Sequence, residues 1–444
     1  MAGKKIQAQL TPEEKLQQAL VPEAEQPYKV PANWCWTRLG IINTYNERHI
    51  DPSKNLQEFF ELYSVVSYVN SYPELVNGSV IGSTKLCVQK NDVLLCKINP
   101  RINRVWKVEK YTDNILIASS EWIVIRNEKF ISDYLLWCFR SEYFRKYMML
   151  NVSGVGGSLM RAKPKFVKTY PIPLPPLAEQ QRIIERIESL FAKLDEAKEN
   201  LQNVLDGFET RKAAILHKAF TGELTAKWRK QHGVSMDSWE EKALGKIVKN
   251  IKDKYEPTLN NKKCVKYIGL EHIEKNNGII GFGSSDDVKS LKTIFELGDI
   301  LYGKLRPYLN KHDIAKFSGI CSTDILVYRA EDFNTAKFIN YFMNTEKFIF
   351  YTVSNSKGIN LPRISEKEVS GILVNVPTLS EQSEIVRIID DLLAKEQQAK
   401  ELAENALAKV DLIKKAILAR AFRGELGTNN PADEPAVELL KQVL

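Results

Sequence analysis

The chain repeats itself, and no other feature constrains its fold as tightly. Ala214-Ile-Leu-His-Lys-Ala-Phe-Thr-Gly-Glu-Leu224 returns as Ala416-Ile-Leu-Ala-Arg-Ala-Phe-Arg-Gly-Glu-Leu426, and Pro175-Pro-Leu-Ala-Glu-Gln180 returns as Pro377-Thr-Leu-Ser-Glu-Gln382, both at an offset of 202 residues. A constant offset from Pro175 to Leu224 means a segment duplicated without insertion, which a surface loop rarely maintains unless length itself matters. Upstream the copies are looser. Asn91-Asp-Val-Leu-Leu-Cys-Lys-Ile-Asn-Pro-Arg-Ile-Asn103 parallels Gly298-Asp-Ile-Leu-Tyr-Gly-Lys-Leu-Arg-Pro-Tyr-Leu-Asn310 at an offset of 207, and Val152 to Gly157 parallels Val353 to Gly358 at 201. The landmarks keep their order while the content between them diverges.

The length-conserved segments read as long helices. Ile183, Ile187, Leu190, Leu194, Ala197, Leu201, Val204 and Phe208 alternate in steps of four and three, the repeat of a coiled-coil seam. Ile385, Ile389, Leu392, Ala399, Ala403, Ala406, Val410, Ile413 and Ile417 follow the same rule, with Glu396 interrupting it. Prolines (Pro173, Pro175, Pro176 and Pro377) mark the starts, and Gly222 and Gly424 stand where C-terminal stops belong. Each run of some forty residues predicts a rod of roughly 60 Å. Two seams of matching length in one chain bury most economically against each other, and antiparallel if the globular parts sit at opposite ends.

Between the helices, short β-like pieces (Asp92–Leu95, Glu121–Ile125, Tyr267–Leu270, Asp299–Tyr302, Asp324–Tyr328) mix with helical periodicity over Asp133–Leu150 and Asn334–Tyr351, which predicts α+β domains. The first 26 residues predict a short helix and an extended lead-in, and residues 428–444 a polar, acidic tail.

Composition narrows the function. With 444 residues, 44% of them apolar and 9% aromatic, and a mean hydropathy of −0.29, the chain is expected to fold into two to three globular domains. No apolar stretch approaches the 18 or so residues of a membrane span, and a cytoplasmic location is expected. The six cysteines (Cys35, Cys87, Cys96, Cys138, Cys264, Cys321) show neither zinc spacing nor disulfide density. There is no G-x-x-x-x-G-K-[ST] loop, no H-E-x-x-H, no G-x-S-x-G and no [ND]-P-P-[YF] tetrad, and the five histidines stand apart in sequence. Binding or scaffolding therefore ranks ahead of catalysis.

Net charge is +8, and it is uneven. Residues 27–177 hold 20 Lys+Arg against 12 Asp+Glu, and residues 236–377 hold 21 against 18. Lys97, Asn99, Arg101, Asn103 and Arg104 cluster after a predicted strand, and Lys304, Arg306, Tyr308, Asn310 and Lys311 cluster at the same place in the second copy. Arg and Lys donate to guanine edges, Asn pairs with adenine, and the same residues serve phosphates. The glycine-containing loops Ser153 to Arg161 and Ser354 to Arg363 add Arg161, Lys357 and Arg363 as candidate contacts.

Taken together, Pro-Leu-Pro-Pro-Leu-Ala-Glu-Gln-Gln at 173–181, Ala-Phe-Thr-Gly-Glu-Leu-Thr at 219–225, Trp228, the second copies of these segments and Gly-Lys-Leu-Arg-Pro-Tyr-Leu-Asn-Lys at 303–311 resemble the specificity (S) subunits of type I restriction-modification systems, the HsdS family. The resemblance covers nearly the whole chain. It implies an α+β fold of two tandem-repeat α/β target-recognition domains, 27–177 and 227–377, separated by two long helices, 178–226 and 378–427, forming an antiparallel coiled coil. An N-terminal extension, 1–26, and a tail, 428–444, flank them. It further implies that each domain reads one half of a split DNA site, with no catalytic or metal-binding residue in this chain. Double-stranded DNA, modification subunits and restriction subunits would be the partners, and S-adenosylmethionine, ATP and Mg would be bound by those partner subunits. A non-enzymatic coiled-coil scaffold with two protein-binding domains is the alternative reading.

Overall fold

A computed structural model describes residues 11–154, 160–257 and 265–444. The chain divides into two compact units, one formed by Met1–Asn200 together with Ala406–Leu444, the other by Leu201–Asn405. Cys264 and the middle of the Ser153 to Arg161 loop lie outside the described residues. Among those described, no helix is long and apolar enough to cross a membrane.

The first unit is organised around strand β1 (Val93–Cys96), which pairs antiparallel with β2 (Val105–Lys107) on one side and β3 (Trp122–Ile125) on the other. All four β1 side chains are buried, and their alternation decides which core each one enters. Val93 and Leu95 point to a core built with helices α1 (Ser132–Arg140) and α2 (Glu142–Leu150), among Tyr134, Phe139 and Phe144. Leu94 and Cys96 point the other way, to Tyr63, Trp106 and Trp122. A five-stranded sheet follows the order 49–50, 85–87, 115–118, 59–63, 74–77, with 59–63 and 115–118 running parallel. At the base of β1, Asp92 is 1% exposed and takes a two-pronged ion pair from Arg126, at 2.7 and 2.6 Å.

Two helices follow, α3 (Leu177–Asp206) and α4 (Phe208–Phe220). The expected single run is thus broken at Gly207, a poor helix former, where Arg211 Nη2 takes the Val204 carbonyl at 2.9 Å. The second unit then repeats the first. β4 (Ile300–Gly303) lies between β5 (His312–Ile314) and β6 (Ile325–Arg329), followed by α5 (Phe333–Phe342) and α6 (Glu346–Ser354). Its five-stranded sheet runs 254–255, 292–295, 319–321, 266–268, 283–284, again with one parallel pair at the same place in the order. Asp299 and Arg329 repeat the buried ion pair at 2.7 and 2.8 Å. Helix α7 (Leu379–Ala421) is continuous over 43 residues.

The near-identical motifs are explained by the closure of each unit. In the second, the buried Glu381 carboxylate accepts from Thr225 Oγ1 (2.6 Å), Arg229 Nη1 (2.6 Å) and Trp239 Nε1 (3.0 Å). In the first, the buried Glu179 accepts from Thr428 Oγ1 (2.7 Å) and Arg182 Nη2 (2.8 Å), and Arg182 also meets Asp433. The Glu of one copy therefore ties the Gly-Glu-Leu segment of the other. Gly222 and Gly424 end their helices at φ +81° and +73°, and a Cβ on Gly424 would stand 2.4 Å from Pro31.

Within each unit the helical contacts step in opposite directions along the two segments. The first unit has Arg182 with Thr428 and Asp195 with Lys414; the second has Thr225 with Glu381 and Arg211 with Glu396. The seam is not uniformly packed. Ile183, Ile187, Ile385, Ile389 and Val410 are buried, Leu190, Leu194, Leu201 and Leu392 are half-buried, and Val204 and Ile413 are exposed. Glu396, the expected interruption, is neutralised by Arg211 at 2.8 Å. The C-terminal segment corrects the expectation of a plain polar tail. It forms a helix, Ala436–Lys441, whose Ala436, Leu439 and Leu440 enter the first unit's core, and Ala436 N donates to Asn33 O at 2.9 Å.

Candidate nucleic-acid interface

The two basic clusters occupy the same hairpin tip in both units. After β1 the chain turns through Asn99, a one-turn helix Pro100–Ile102 and Asn103 into β2; after β4 it turns through Arg306, Pro307–Leu309 and Asn310 into β5. Proline opens each turn with a preset φ, and the residues bracketing it are left-handed: φ is 51° and 55° in the first unit, 53° and 41° in the second. Asparagine tolerates that conformation, whereas for arginine it is strained, and sites holding such strain cluster where function over-determines them. The second loop of each unit is drawn alongside. Asn99 N donates to Met160 O (2.7 Å) and Ile98 bridges Arg161; Arg306 N donates to Pro362 O (2.7 Å), Leu305 bridges Arg363, and Lys357 bridges Arg363. Segments distant in sequence are thereby brought together.

The candidate residues separate into two kinds. Asn103 and Asn310, expected to read adenine, are instead part of the scaffold: Asn103 Nδ2 donates to Phe139 O (3.0 Å), and Asn310, only 4% exposed, donates to Met343 O (2.9 Å). The left-handed corner buries the amide, so its donor is spent on the helix behind it. Lys311 Nζ likewise donates to Leu270 O at 2.7 Å, and Arg104 stands beside the Cys96 thiol. Arg161 pairs with Glu121 at 3.1 Å and Arg363 with Asp324 at 3.3 Å, matched ion pairs that link the two loops of each unit. By contrast, Lys97, Arg101, Lys304, Arg306 and Lys357 have no side-chain ion pair or hydrogen bond among the described residues. Arg101, Arg306 and Lys357 are exposed, as is Tyr308, while Lys97, Asn99 and Lys304 are half-exposed.

Other surface residues were not singled out from sequence. Ile359, beside Gly358 at φ +107°, is fully exposed, and Leu361 is half-exposed in the same loop. Two apolar residues in the otherwise polar Ser-Asn-Ser-Lys-Gly-Ile-Asn-Leu-Pro-Arg run were the available signal. On the second unit's five-stranded sheet, Lys266 is flanked by the rings of Phe282 and Phe317 at 4.6 and 4.5 Å, an arrangement no local pattern announces because it joins one strand and two loops distant in sequence.

The family model for the type I restriction modification DNA specificity domain matches this chain twice, over residues 44–206 and 236–405. Among curated proteins, the specificity subunit of the type I restriction enzyme EcoDI from Escherichia coli is 27% identical over 434 residues, covering 92% of each chain, and that of StySPI from Salmonella potsdam is 29% identical over 329 residues, covering 70% of this chain and 69% of its own. The crystal structure of the HsdS subunit from Thermoanaerobacter tengcongensis superposes with a TM-score of 0.70 at 22% identity, covering 90% of this chain and all of that one, a likeness of fold. With two family domains spanning most of its length on two units of one topology, the chain belongs to the type I restriction-modification DNA specificity family.

Proposed function

We propose that this chain is the DNA-recognition subunit of a type I restriction-modification complex, in which each unit reads one half of a bipartite, asymmetric site. One observation carries the reading: the same backbone at the same hairpin tip keeps a lysine, Lys97 and Lys304, but changes the two side chains beyond it, from Asn99 and Arg101 in the first unit to Arg306 and Tyr308 in the second. A shared scaffold with divergent tips suits two different half-sites. The cations would hold phosphates and set register, while Arg306 would reach base edges; Asn99, with its Oδ1 buried, would shape the turn.

The helices α3, α4 and α7 would act together as an antiparallel coiled-coil spacer that fixes the distance between half-sites, consistent with the length-conserved repeat and with contacts that step in opposite directions. Modification subunits would supply S-adenosylmethionine-dependent adenine methylation, and restriction subunits ATP- and Mg-dependent cleavage. The test is sequencing of modified bases in DNA from cells that express this chain with and without its modification subunit. Methylation at one bipartite motif, only when both are present, is the expected result; an active modification subunit that yields no motif overturns the reading.

A further inference from the structure

One position in the two units is built oppositely. In the first, Lys414 on the returning helix is ion-paired to Asp195 at 2.5 Å and lies 5.0 Å from the Phe191 ring centroid. Phe191 packs edge-on against Trp137 at 5.1 Å, and Arg140 covers Trp137 and donates to Val105 O at 3.1 Å. Aromatic rings and Arg140 stand between helix and domain here, and the cation is neutralised.

The corresponding residue of the second unit is Lys212, and every partner has changed. At the same offset of 202, Leu393 replaces Phe191 and Gln397 replaces Asp195. At the hairpin offset of 207, His312 replaces Val105. Because Asn103 and Asn310 make the same contact to Phe139 O and Met343 O, Tyr341 answers to Trp137 and Asn344 to Arg140. The result is a cavity of about 590 Å³ beside a second of about 230 Å³ that shares Lys212, Asn276, Asn310 and Asn344 with it; Glu209 and Glu346 also line the first, and Asp313 and Lys316 the second. Gln397 donates to Glu401 at 2.9 Å, and among the described residues Lys212 Nζ finds only the Asn276 amide oxygen, at 3.2 Å. Burial lowers the Lys212 pKa; Glu209, which reaches Asn276 Nδ2 at 3.4 Å, opposes that shift, and Lys275 and Lys400 add to it. Deeper in, Asn310 Oδ1 is a buried acceptor with no partner among the described residues, and His312 is held by Asn340 Oδ1 at 2.8 Å.

A partly desolvated lysine that makes no ion pair, with Glu209 near it only as a long-range charge, calls for an anion, and an orphaned buried carbonyl calls for a donor. We propose that the second unit carries a binding site for a small phosphate ester, its phosphate on Lys212 and a hydroxyl or amine of the same molecule on Asn310 Oδ1. A mononucleotide fits both demands and the cavity's size. At the equivalent place in the first unit, Lys414 is paired to Asp195 and Phe191 packs on Trp137, so no unpaired cation is offered there. Two consequences distinguish this from surface charge: binding has a stoichiometry of one per chain, and restoring the first unit's arrangement abolishes it.

The experiment is calorimetric titration of the full chain with adenosine monophosphate and with inorganic phosphate at fixed ionic strength. Saturable one-to-one binding of the nucleotide, tighter than that of phosphate alone, is expected. Lys212→Ala and Gln397→Asp each weaken it at least tenfold, and Gln397→Asp, which supplies the missing carboxylate at an exposed position, leaves the thermal midpoint unchanged or higher. The proposal falls if the wild-type chain shows no saturation up to millimolar ligand, or if both variants bind as wild type does. An added arm includes duplex DNA: undiminished nucleotide binding is expected, and full competition would assign the phosphate to the DNA backbone and overturn a free ligand.

Discussion

The two units share a topology down to the buried ion pair under the central hairpin, yet they solve the same local problems with different chemistry. Where the first unit sets Leu194 and Ile413 on its helices, the second sets Glu396 and Arg211, joined at 2.8 Å. Where the first closes its buried glutamate with Thr428 and Arg182, the second uses Thr225, Arg229 and Trp239. Where the first places Asn99 at the left-handed corner, the second places Arg306. What stays constant is main-chain geometry and the groups that enforce it; what varies is what the loops display. Duplication followed by divergence at the tips is how one scaffold comes to display two different sets of side chains.

The sharpest way to break the comparison is to remove its common element. Asp92→Ala leaves Arg126 without a carboxylate and is expected to cost the first unit about 3–5 kcal/mol in chemical denaturation followed by hydrogen exchange, whereas after Asp299→Ala the half-exposed Arg329 keeps Glu296 at 3.0 Å and the second unit should lose less. An equal loss in both units would mean that Glu296 does nothing for Arg329 once Asp299 is gone. Next, Leu440→Ala removes a buried side chain that only the first unit possesses, and should destabilise that unit by about 2–5 kcal/mol while leaving the exchange of residues 208–400 unchanged.

Smaller effects fall on function. Arg306→Ala should weaken specific DNA binding by about 1–3 kcal/mol and relax recognition at one half-site only. Equal loss on all sequences, with a reduced salt slope, would make Arg306 a phosphate contact instead. The smallest difference is in pH response. Burial lowers the pKa of His312 from its ordinary 6.5, while the first unit has Val105 there. The unfolded chain then takes up the proton more readily than the folded one, so this contribution is intact above pH 6.5 and is lost as pH falls below it. His312→Val should flatten the second unit's stability below pH 6.5; an unchanged slope would place the titration elsewhere.

Much of this was legible in the sequence. The repeat, the helix starts at Pro175 and Pro377, the stops at Gly222 and Gly424 and the five expected strands follow from local rules of periodicity and turn chemistry, and the structure has them in place. The break at Gly207 was masked because the heptad pattern runs through it. The burial of Leu439 and Leu440 could not be read from a short polar segment, since its partners lie at the other end of the chain. In the candidate site, the basic clusters were visible, but the distinction between Arg306, which is free, and Asn310, which is locked, depends on which side of a left-handed corner each side chain leaves. A pattern of residue types carries no such direction.

The returning C-terminal segment also governs the order in which the chain can finish folding. The second unit is contiguous, Leu201–Asn405, whereas the first draws on Ala406–Leu444 as well as its own beginning. During synthesis the domain that is made first must therefore wait longest: its core stays without Phe422, Ala436 and Leu440 until the ribosome has translated the whole of the other unit. The loop-closure entropy of joining the two ends of the chain falls on the first unit alone. In the interval its apolar surface is open to chaperones and proteases, so a truncated transcript would yield a sound second reader attached to an unfinished first one.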